Sequence, residues 1–152
     1  MAYTTAEGRE QILGDLAVAI EQIADALARL GEAYEQLDDQ HADALEEQLF
    51  RPVQLAYGRA QRTYADFAQR SQLRARTFEA HSPGMQSQSV QDLIERAADA
   101  AYDADQSIAE LQDSMLPVEV GDTELRAGLS HVRETLDVVP PRARGFVRTV
   151  GR

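Results

Sequence analysis

The sequence predicts an all-α fold, an antiparallel helical bundle of three long helices and a shorter fourth. Three observations carry that prediction. Apolar residues recur at alternating three- and four-residue steps, the spacing of packed helices, through most of the 152 residues. No stretch alternates with period two for long enough to make a strand. Hydrophobic residues make up 43% of the chain, enough to supply a core, whereas a disordered chain is poor in them.

In the first element Leu13, Leu16, Ile20, Ile23, Leu27, Leu30, Tyr34 and Leu37 form an uninterrupted heptad seam. Thr4, with Glu7 three residues on, resembles a capping box that would start it. The second element is less regular. Leu45, Leu49, Val53 and Tyr57 follow one another in repeated four-residue steps before Ala60, Tyr64 and Phe67 restore the rhythm. Such a drift locally unwinds a seam.

Pro52 lies inside this drift. Proline lacks the amide donor and clashes with the carbonyl four residues back, at a cost of about 3 kcal/mol in a helix interior. Two arrangements satisfy it. The chain can reverse near 37–43, with Asp43 and Glu46 capping a second helix that Pro52 kinks. Alternatively the first helix runs to Phe50, and Pro52 opens the next, where proline is tolerated. The second is preferred, because DDQHAD contains neither glycine nor proline to mark a break. It leaves Tyr34, Leu37, Leu45 and Leu49 on a protruding end that needs a partner, so a homodimer is expected.

HSPGMQSQS (81–89) reads as the clearest loop. The third helix follows with Val90, Ile94, Ala97, Ala101, Ala104, Ile108, Leu111 and Met115 as its seam, capped by Ser89 and stopped by Pro117. LPVEVGD (116–122) is a short connection. The fourth helix carries Leu125, Leu129, Val132, Leu136 and Val139, with Asp122 as N-cap and Pro140 and Pro141 as its end. Residues 1–139 are thus assigned to one bundle domain. Residues 140–152, PPRARGFVRTVGR, are assigned to a basic tail too punctuated by proline and glycine to add a core element. That tail is expected to dock on the protein's own acidic surface.

Charge is blocked along the chain. The net value is −11, with 26 acidic residues against 15 basic, every basic one an arginine. Residues 1–50 and 77–116 are strongly acidic, whereas 51–76 and 140–152 are basic. An acidic average repels nucleic acid and anionic lipid at long range. Arginines at 51, 59, 62, 70, 74 and 76, interleaved with Tyr57 and Tyr64, nevertheless suggest a rival role in binding nucleic acid or an anionic surface. The ordinary expectation is that Arg59, Arg62 and their neighbours pair with the acidic helices beside them.

Chemistry is sparsely indicated. A dinuclear centre in a bundle wants two Glu-x-x-His motifs and two further glutamates. Asp38 and His41 alone stand at ligand spacing, a weak candidate metal pair, and His41 is expected to be a hydrogen-bonded core residue. Ser130 and His131 are sequence neighbours whose side chains diverge on a helix. No phosphate-cradling or nucleophile-elbow motif is present, and there is no cysteine. The expectation is a non-enzymatic interaction or scaffold protein of the cytoplasm, with no cofactor, associating with itself and with a protein partner. Its contacts are expected through Tyr34, Leu37, Leu45, Leu49, Arg59, Arg62, Arg142, Arg144 and Arg148.

Overall fold

Helix α1, Thr5–Gln36, buries Leu13, Leu16, Ile20, Ile23 and Leu30 of the expected seam together with Ile12, Ala19, Ala26 and Ala33. Leu27 is half-buried and Tyr34 exposed, because the buried stripe ends on the small-residue side of the helix. The computed structural model describes residues 5–82 and 88–150, so the capping role of Thr4 and most of the loop at 81–89 lie outside the described residues. The chain then reverses at Leu37 and Asp38, not at Phe50. Asp38 is the N-cap of α2, Asp39–Leu45, and accepts the His41 backbone N–H at 2.9 Å. No residue of this break has positive φ, which is why neither glycine nor proline marks it. An aspartate cap is enough to redirect the chain.

From Asp39 the helix continues to Arg70 through a π-helical segment, Glu46–Phe50, into α3, Arg51–Arg70. A π-turn takes in one more residue than an α-turn, and this resolves the four-residue drift. Leu45, Leu49 and Val53 are all fully buried on one side. Pro52 stands in the first turn of α3. It has no N–H to offer the carbonyl of Gln48, and Arg142 Nη1 from the far end of the chain donates to that carbonyl at 3.2 Å.

The second helix also ends earlier than its arginines suggest. Gln72 adopts φ 57°, and the Leu73 N–H turns back to the Ala68 carbonyl at 2.9 Å, a left-handed helix stop built without glycine. Arg74 and Arg76 therefore lie on a non-helical strap, not on a helix. Ser71 to Ser82 of the strap carry no helix or strand, and Ser89 caps α4 by accepting the Asp92 N–H. Leu73 and Phe78 pack on the core, and Phe78 meets Tyr64 edge to face at 5.1 Å. Glu21 of α1 pins the strap by taking Arg76 at 2.9 Å and His81 at 2.6 Å.

Helix α4, Val90–Asp113, packs along the length of α1 through Ile94, Ala97, Ala101, Ala104 and Ile108. A one-turn helix α5, Leu116–Val120, replaces the expected plain connection, and Met115 falls outside the seam, exposed. Asp122 caps α6, Thr123–Asp137, which buries Leu125, Leu129, Val132 and Leu136.

Pro140 and Pro141 do not end the fourth column. They occupy the first turn of a further helix, α7, Val139–Val150, where a missing N–H costs nothing. Ala143 and Phe146 of α7 enter the core, so the assigned tail is a structural element up to Val150.

The four columns are α1, the helix from 39 to 70, α4 and the α6/α7 pair. Gln36 bonding to Gln88, and Arg70 bonding to Asp122, fix their directions as up, down, down, up. One long crossover, the strap, joins the two middle columns, a known bundle topology. At 1.5 Å per residue, the first two columns are each about 48 Å long and lie level with one another.

Candidate interaction surface

The residues expected to pair two copies are largely used within one. Leu45 and Leu49 are 0% exposed in the chain's own core, and Leu37 packs against it at the reversal. Tyr34 alone stays outside, 40% exposed. The reversal at Leu37 and Asp38 folds the supposed protruding end back onto α1, so these residues no longer call for a second copy.

The arginine block is partly drawn into the fold. Arg70 holds Asp122 at 2.7 Å and Glu124 at 2.9 Å, joining the end of α3 to the start of α6. Burial alone would raise the Asp122 carboxyl, but the guanidinium and the Leu125 N–H outweigh it and hold the carboxyl below its usual range. The same contact raises Arg70. Arg59 reaches the Thr135 hydroxyl at 2.7 Å across the same helix pair. Tyr64 is buried, so it offers no face for stacking a base. Arg62 lines a cleft of about 190 Å³ between α3 and α6 with Asp66 and His131.

His41 is half-exposed rather than core. Its Nδ1 meets Asp38 Oδ2 at 2.8 Å, and the His41 backbone N–H and ring together lower the Asp38 carboxyl. Capping, not core packing, decides its place. Among the described residues, no three histidine, aspartate or glutamate side chains converge in a way that could hold a metal ion.

The remaining sequence candidates divide by role. Arg142 is bound to the Gln48 carbonyl and serves the fold. Arg144 and Arg148 instead line a groove of about 540 Å³ between α4 and α7. Its floor is Ala98, Ala143 and Val147, and Tyr102 stands over it with 55% of its surface exposed. Glu95 and Asp99 form the opposite wall on α4. They stand four residues apart, as do Arg144 and Arg148, so each pair occupies one face of its helix. Apart from a Gln91 contact to Glu95 at 3.2 Å, these four charges make no hydrogen bond or ion pair among the described residues.

Tyr102 escaped the sequence reading because it lies off the α4 seam. An off-seam tyrosine one turn after Ala98 is the signal that could have found it. Comparison of the chain with protein-family models, curated proteins and solved structures finds no match.

Proposed function

We propose that the chain is a non-enzymatic interaction protein and that the α4/α7 groove is its working surface. One observation supports this reading. The groove combines an apolar floor, an exposed tyrosine and two walls of opposite charge that make no ion pair among the described residues. Interfaces concentrate their binding energy in aromatic residues set in a pocket and draw orientation from charges around them. Rigid helices on both sides preorganise the surface, which lowers the entropy lost on binding.

The reading is tested by placing a photo-crosslinking amino acid at position 102 in the native host, and in a parallel strain at exposed Gln54 on the diagonal column. A discrete protein adduct from position 102, absent from position 54, is the expected result. Absence of any protein adduct at 102 overturns it.

A further inference from the structure

We propose that the occupant of the α4/α7 groove is a second copy of the chain, related by a two-fold axis parallel to the helices. The proposal rests on the reading of that groove as an interaction surface. It does not use the residues 34–49 that the sequence alone suggested.

A two-fold contact must complement itself, because the same patch serves on both sides. Helices α4 and α7 run in opposite directions along the groove. Glu95 and Asp99 on one wall are therefore level with Arg148 and Arg144 on the other. Two in-plane axes can bring two such faces together. An axis across the helices lays α4 on α4 and α7 on α7, so acid meets acid and arginine meets arginine. An axis along the helices lays each α4 on the mate's α7 at unchanged height. Glu95 then faces the level of Arg148, and Asp99 that of Arg144, twice over. Only the second arrangement is electrostatically favourable, and like charges set opposite one another cost several kcal/mol.

The apolar parts agree with that choice. Under the parallel axis each Tyr102 comes against the end of the mate's groove lined by Pro140 and Ala143. Tyr102 is over half exposed in one chain, so its burial is available to drive association rather than folding. The four wall charges, which make no ion pair among the described residues, gain partners at the same time.

The test uses full-length chains and two charge-reversed variants. One carries Arg144→Glu and Arg148→Glu, making both walls acidic. The other carries Glu95→Arg and Asp99→Arg, making both walls basic. All four positions are exposed, and helicity by circular dichroism confirms folding of each variant. The wild type should sediment at twice the 16.8 kDa of one chain at micromolar concentration. Each variant alone should dissociate at least about tenfold more readily, and an equimolar mixture should regain the two-chain mass. Recovery on mixing is specific to pairing between chains, since pairing within a chain cannot be restored in trans. Tyr102→Ala, which leaves the wall charges intact, should weaken association by about tenfold or more.

A monomeric wild type, a dimer that survives both reversals, or a mixture that stays monomeric overturns the proposal. A monomer that still gives a discrete heterologous adduct at position 102 ends the two-fold dimer and leaves the interaction surface standing.

Discussion

Gly128 has no room for a side chain. A Cβ built there would lie 2.5 Å from Thr63 Oγ1 and 2.8 Å from its Cγ2, on a branched side chain of the facing helix. The α3–α6 approach is therefore set by the absent side chain. Gly128→Ala should cost about 1–3 kcal/mol by overpacking. In a Thr63→Ala background most of that cost should vanish, as read from denaturant midpoints of the four chains. Pro52 and Arg142 form a second coupled pair. Arg142→Ala should cost about 1 kcal/mol, because the Gln48 carbonyl loses its guanidinium donor. Pro52→Ala supplies a backbone N–H for the same carbonyl, so the Arg142 effect should shrink in that variant; additive losses in the double mutant would refute the pairing. Neither pair was legible in the sequence. Gly128 reads as one more glycine until its facing residue is known, and Arg142 reads as part of a charge cluster until the path of α7 is known. Asp122 and Ser89, by contrast, were legible as caps, because a cap is decided by the residue and its immediate neighbours.

At the scale of elements, the seams of α4 and α6 are legible in the sequence, that of α1 only in part, since Leu27 is half-buried and Tyr34 exposed, and the interruptions are not. The seams of α4 from Ile94 to Leu111 and of α6 are buried as their spacing requires. The drift through Leu45, Leu49 and Val53 was visible too, but spacing alone does not say whether a kink, a break or a π-turn absorbs it. The proline pair at 140 and 141 opens α7 instead of ending the fold, because proline ends one helix and begins the next with equal ease. Core contacts decide between these, and Phe146 supplies them. Phe146→Ala should destabilise the protein by about 3–5 kcal/mol, and equilibrium unfolding measures it. A loss under 1 kcal/mol would mean that α7 is not part of the cooperative bundle. The strap was the least legible element. Leu73 and Phe78 are five residues apart, a spacing that belongs to neither helix nor strand, and the arginines around them continue the charge block of α3.

For the whole molecule, three sets of ion pairs join separate elements: Arg70 ties α3 to α6, Arg133 ties α6 to Asp105 of α4 at 2.9 Å, and Glu21 ties α1 to the strap. Stability should therefore respond to acid. The Asp122 carboxyl titrates below its unfolded value of about 3.9. Its contribution is complete above that value and is lost as pH falls through the lower folded one. Melting temperature followed from pH 7 to pH 2.5 should fall below about pH 4. In Arg70→Gln that portion of the fall should be smaller, because the carboxyl returns toward its ordinary range; an unchanged profile would exclude the Arg70–Asp122 pair as its source.

The single crossover also sets an order of events during synthesis. When residue 70 has left the ribosome, α1 and the helix returning from Asp39 can already form a hairpin. The stripe on α1 that will receive α4 stays uncovered until Asp113 emerges, 43 residues later. At about 5–20 residues per second that interval lasts roughly 2–9 s. For those seconds the nascent chain presents an apolar ridge with no native cover, the kind of transient surface that favours aggregation. Residues 71–89 thus lengthen the interval in which a half-made chain has an uncovered ridge.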